Sequence, residues 1–161
     1  MLKSFTPCYQ FVLAIPKKFR FAMLIVTGYL VSAIVIVPAE LLTVGELVSP
    51  LSEKKLSVSL FIIVCVVAPL SETYLFQHLI YKKLFSKLSL KNKEYLKLSL
   101  SSLLFGLAHH YSLVYVIWAT AQGVYLYICY DYFIYTGRNA FWGTCIIHAI
   151  RNTIACLAFV L

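Results

Sequence analysis

Four residues set in long apolar stretches carry groups capable of chemistry: Glu72, His109, His148 and Asn152. A charge at the centre of a bilayer costs roughly 2.5–3.5 kcal/mol, so each such residue needs a reason. A carboxylate beside a histidine could take a proton from water and later deliver one to a leaving amine. A second histidine with an asparagine could donate hydrogen bonds to a developing oxyanion. These parts suffice for water-driven cleavage of an amide bond, and no Ser or Cys nucleophile is needed.

Their spacing places them together. Depth can be counted from the nearest basic residue at about 1.5 Å per helical residue. Glu72 then lies roughly 15 Å from Lys82, His109 roughly 18 Å from Lys97, and His148 and Asn152 roughly 15 and 21 Å from Arg138. Three helices thus carry polar groups at similar depth, which predicts a shared polar pocket within the bilayer. His148 and Asn152 stand four residues apart, as do Phe105 and His109, so each pair shares a helix face. Pro69, three residues before Glu72, weakens the backbone ladder and bends the helix beside the carboxylate.

The elements that must position these groups are membrane helices. The chain has 161 residues, 61% hydrophobic and only 12% charged. Its mean hydropathy is +0.86. A soluble domain is roughly 45–50% apolar and about 25% charged. This composition excludes a disordered tail, a secreted disulfide scaffold and an ordinary cytosolic enzyme. The expected fold is all-α: a polytopic membrane helix bundle of about five transmembrane helices. The spans are expected near 21–42, 56–81, 98–109, 112–135 and 140–161, the third being short. Residues 1–20 read as an interfacial segment, broken by Pro16, before the transmembrane domain at 21–161. No signal-peptide cleavage site, internal repeat or second domain is expected.

The net charge of +8 comes from short basic clusters between apolar stretches. That is the positive-inside pattern and not a nucleic-acid footprint. Lys3, Lys17, Lys18, Arg20, Lys82, Lys83, Lys87, Lys91, Lys93, Lys97 and Arg138 fall on one side, against Lys54 and Lys55 on the other. The N-terminus is therefore expected in the cytoplasm. The five cysteines include no CxxC pair and read as small buried hydrophobes. Among the other polar residues, His78 is expected on a polar seam and His110 in a turn. Asp131 is expected to reach the interface or pair with Arg138. The run Tyr125, Tyr127, Tyr130, Tyr132 and Tyr135 reads as an aromatic belt. The lysines from 82 to 97 read as a solvated loop facing anionic lipid.

At these residues the chain resembles the CPBP intramembrane proteases, also called the Abi or CAAX-protease family. The family's first motif, EExxxR, corresponds to Glu72-Thr73-Tyr74-Leu75-Phe76-Gln77, after Ala68-Pro69. Its FxxxH motif corresponds to Phe105-Gly106-Leu107-Ala108-His109. Its HxxxN motif corresponds to His148-Ala149-Ile150-Arg151-Asn152. The protease-like core spans about 56–161. The resemblance implies an intramembrane endopeptidase, a hydrolase acting on a membrane-embedded or lipid-modified peptide. It implies that Glu72 and His109 activate water and that His148 and Asn152 hold the oxyanion. Expected substrate contacts are Phe76, Phe105 and Arg151. Arg151 would anchor a substrate carboxylate, or else pair structurally with Glu72. No cofactor is implied, with a divalent metal such as zinc as the alternative chemistry. The expected location is a bacterial cell membrane, with the lipid bilayer and a peptide as partners and no nucleic acid.

The first motif departs from the family at Thr73, where a second glutamate is usual, and at Gln77, where an arginine is usual. Both departures remove charge. They motivate an alternative: a protease-like membrane protein that binds or scaffolds a partner, or acts as an immunity factor, without cutting. A small ion or proton carrier built on the same Glu and His is a third reading.

Overall fold

The computed structural model describes residues 6–43, 57–84 and 93–158. Lys3, Lys54, Lys55, Lys87 and Lys91 lie outside the described residues. Every regular element described is helical. Helix α1 covers Thr6–Ala14, and a 3-10 turn at Lys17–Phe19 leads into α2, Arg20–Thr43. Helix α3 occupies Val58–Leu84, followed by α4 (Lys93–Ala108), α5 (Leu113–Tyr135) and α6 (Ala140–Ala158).

Among the described residues, three segments are long and apolar enough to cross a membrane: Lys17–Pro38, Val58–Leu84 and Leu113–Tyr135. The two remaining expected spans are α4, of 16 residues, and α6, of 19. The first is too short and leads to His109 just past its end, and in the second His148, Arg151 and Asn152 lower the hydropathy. The surface is strongly apolar, and the interior holds polar residues beside its hydrophobic core. Ile34, Val58 and Leu113 are more than 70% exposed, while Thr73, Gln77, Ser101 and Thr144 are fully buried. Lipid tolerates that distribution and water does not. The protein is an all-α helical membrane bundle.

Helices α4 and α5 form a tight hairpin because small residues let their backbones meet. A Cβ on Gly106 would sit 1.9 Å from Thr120 Oγ1, and one on Gly123 would sit 2.8 Å from Ser102 Cα. The hairpin tip at 109–111 is thereby fixed against α5. At the opposite end, α1 lays Tyr9 and Val12 into the core. Arg20 folds back to donate to the Ile15 and Leu13 carbonyls, which terminate α1. The N-terminal segment is thus a packed helix as well as a boundary element.

Three expectations change at this basic end. The tyrosine run is core and not belt: Tyr125, Tyr127, Tyr130 and Tyr132 are buried, and only Tyr135 is exposed. Period 3.6 carries most of a clustered run inward once the helix is packed on several sides. Asp131 reaches neither the interface nor Arg138. It is buried and accepts hydrogen bonds from Tyr81 (2.8 Å) and Tyr9 (3.3 Å). Lys97 is not a solvated loop residue. It is buried on α4, paired with Glu94 at 3.1 Å and laid over the Tyr81 ring at 4.7 Å. Two expectations hold: His78 bonds the Tyr130 hydroxyl at 2.8 Å, and His110 stands exposed in the turn.

Candidate active site

Helix α3 changes its winding on both sides of Glu72. Ile63–Val67 and Thr73–Leu84 follow the wider π spacing, and Ala68–Glu72 between them is α-helical. Such bulges arise where the regular ladder is interrupted, and Pro69, which is buried, supplies no N–H to it. The irregular stretch delivers the Glu72 side chain inward, leaving it 19% exposed.

Two histidines from different helices meet that carboxylate. His109 Nε2 is 3.9 Å from Glu72 Oε1, and His148 Nε2 is 3.6 Å from Glu72 Oε2. Both separations exceed a direct hydrogen bond and match a gap spanned by one water. The three groups expected at a common depth are therefore brought together.

His109 sits just past the end of α4. Its Nδ1 donates to the Phe105 carbonyl at 2.7 Å, one of the carbonyls a helix terminus leaves without an intrahelical partner. This bond commits Nδ1 as donor, so in the neutral ring Nε2 presents its lone pair to Glu72. Two aromatic rings stack near the imidazole, Phe105 at 4.6 Å and Tyr115 at 6.1 Å.

Phe105 also lies 5.9 Å from the His148 ring and meets Phe76 edge-on at 5.5 Å. It is a buried floor beneath both histidines. Phe76 is half-buried at its edge. His148 is buried with its Nδ1 unpartnered. Asn152, one turn further along α6, donates from Nδ2 to the Val64 carbonyl on α3 at 2.9 Å. Its second amide hydrogen is unassigned.

Arg151 is turned away from Glu72. It donates to the Gly28 carbonyl (3.2 Å) and Ser32 Oγ (2.9 Å) on α2. The guanidinium lies over the Tyr29 and Tyr125 rings at 5.4 and 5.1 Å. Arg151 lies three residues after His148, so spacing alone does not separate it from the motif residues; its hydrogen bonds to α2 do. Tyr115 is the site residue that sequence reasoning missed. Its one signal is position: it lies six residues after His109, on the far side of a tight turn.

Thr73 and Gln77, the two departures from the first motif, are both fully buried one turn apart on α3. The two lost charges are of opposite sign, so the interior keeps its charge balance. Among the described residues, no group of three His, Cys, Asp or Glu side chains is arranged to hold a metal ion.

Residues 54–154, more than half of the chain, match the family described as Type II CAAX prenyl endopeptidase Rce1-like. No curated protein and no solved structure matches the chain. The matched segment begins just before α3 and ends two residues after Asn152, so it contains every residue that meets at Glu72. The chain belongs to the Rce1-like family of type II CAAX prenyl endopeptidases.

Proposed function

We propose that the protein is an intramembrane endopeptidase in which Glu72 and His109 activate water against a peptide bond. The observation that carries this reading is the Glu72 carboxylate facing two imidazole Nε2 atoms at 3.9 and 3.6 Å. A water in the 3.9 Å gap would donate one hydrogen to His109 Nε2 and the other to Glu72. Both groups are acceptors once His109 Nδ1 is committed to Phe105. Two acceptors raise the water's nucleophilicity.

The water oxygen then bonds to the scissile carbonyl carbon, and its proton passes to Glu72. The oxyanion takes hydrogen bonds from the His148 and Asn152 side. Collapse breaks the C–N bond, and Glu72 returns the proton to the leaving amine. The products are a carboxylate and a free amine. The family description supports a prenylated or otherwise membrane-held peptide as substrate. The positive-inside pattern supports a cytoplasmic basic end, and a bacterial cell membrane is the proposed location.

The test compares the wild type with Glu72→Gln and His109→Ala, reconstituted with a tagged, prenylated peptide. Each substitution is expected to lower cleavage by roughly 10²–10⁴-fold. Wild-type cleavage in both variants would overturn the assignment. Burial of Thr73 and Gln77 at the first motif favours a second reading, a partner-binding relative without activity. Under it, the wild type leaves the peptide intact while retaining it on the membrane, and Glu72→Gln retains it equally.

A further inference from the structure

A cavity of about 450 Å³ lies apart from Glu72, between the Lys82 end of α3 and the turn joining α5 to α6. Tyr74, His78 and Lys82 enter it from one face of α3 at four-residue spacing. Arg138, Phe141 and Trp142 close the other side. We propose that this cavity binds the phosphate headgroup of an anionic phospholipid.

Charge is the first argument. Two cations and a histidine line the cavity, and no Asp or Glu does. Asp131, the nearest acid in sequence, is buried and engaged by Tyr9 and Tyr81. Glu94 is engaged by Lys97. Among the described residues, neither Lys82 nor Arg138 forms an ion pair, so both charges are available to a ligand. His78 is held at Nδ1 by Tyr130 at 2.8 Å, which leaves Nε2 for a ligand oxygen. The first turn of α6 also contributes Ala140 and Phe141 to the wall, and a helix start favours an anion.

Position is the second argument, and it selects a lipid over a free anion. The cavity lies where two apolar spans end, Val58–Leu84 and Leu113–Tyr135. Its rim residue Trp142 is 52% exposed, and Ile146, one turn along α6, is 46% exposed. Leu75 beside Tyr74 is half exposed. An apolar wall thus runs from the cationic cavity along the membrane face, matching a headgroup with its chains attached. A soluble phosphate has no use for that wall.

The test uses the purified full chain with Trp118→Phe, so that Trp142 is the single tryptophan reporter. Trp142 emission is followed while short-chain phosphatidylglycerol, phosphatidylcholine, inorganic phosphate or a peptide with a free C-terminal carboxylate is added in neutral detergent. Phosphatidylglycerol is expected to saturate the signal about tenfold more tightly than phosphatidylcholine. Lys82→Gln with Arg138→Gln abolishes that preference, and Lys82→Arg with Arg138→Lys keeps it. Lys17→Gln with Lys18→Gln also keeps it, because those charges lie outside the cavity. Equal loss in the Lys17/Lys18 pair would show diffuse attraction to charge and overturn the site. Saturation by inorganic phosphate or by the peptide at the same concentrations would overturn the lipid assignment. None of these outcomes bears on cleavage at Glu72.

Discussion

The Asn152 side chain occupies a hydrogen-bonding place that Pro69 leaves open. In the π-wound part of α3, the Ala68 N–H donates to the Ile63 carbonyl, five residues back. The next donor in that series is Pro69, which has no N–H, and its acceptor would be Val64 O. Asn152 Nδ2 donates to that carbonyl at 2.9 Å. A residue expected to hold an oxyanion thus also ties α6 to the helix that carries Glu72.

This relationship predicts a thermodynamic coupling. Asn152→Ala leaves the Val64 carbonyl unpaired and should cost about 0.6–1.7 kcal/mol of stability in the membrane. Pro69→Ala restores a backbone donor in α3. The double variant should therefore lose less stability than the sum of the two single variants. A double-mutant cycle by chemical denaturation in micelles checks it, and strict additivity would refute the coupling.

Thr73 and Gln77 predict a second cycle. Thr73→Glu alone or Gln77→Arg alone places an uncompensated charge in a fully buried site and should cost about 3–5 kcal/mol. Both together form a Glu–Arg pair one turn apart and should recover most of that loss. Thermal unfolding of the four proteins reads the result. Enhanced cleavage in the double variant would further show that the family's charged pair supports Glu72.

The α4–α5 hairpin fixes His109 through close packing. Gly106→Ala drives a Cβ into Thr120 Oγ1 and should destabilise by about 1–3 kcal/mol. Thr120→Ala should partly rescue both stability and cleavage by removing that oxygen. Loss of stability with cleavage intact would separate the hairpin from the site.

Arg151 distinguishes a helix tie from a substrate anchor. Arg151→Met removes charged hydrogen bonds to Gly28 and Ser32 and should cost about 1.5–3 kcal/mol of stability. KM for a peptide with a free C-terminal carboxylate should stay unchanged. A raised KM with unchanged stability would restore the anchoring role.

The water mechanism uses groups of this chain alone. Incubation with a strong zinc chelator followed by gel filtration should leave the rate of cleavage unchanged. Inactivation reversed by added zinc would replace Glu72-based activation with metal-based activation.

The sequence determined the membrane class, because 61% apolar residues in long runs have no soluble solution at this length. It also determined which residues could meet. Glu72, His109 and His148 sit at matching depth because helical rise is constant, so sequence distance converts to position along each rod. Rotation about each rod was decided only by packing. Arg151 lies between two motif residues in sequence, yet faces Gly28 and Ser32. Asp131 and Lys97 look like interface charges, yet both are buried against Tyr81 of another helix, Asp131 through its hydroxyl and Lys97 over its ring. Asn152 is bonded to the Val64 carbonyl, eight residues before Glu72 on α3, and not to the groups gathered at Glu72. Such partners are contributed by segments far away in the chain, and no local periodicity encodes which of them a given side chain will reach.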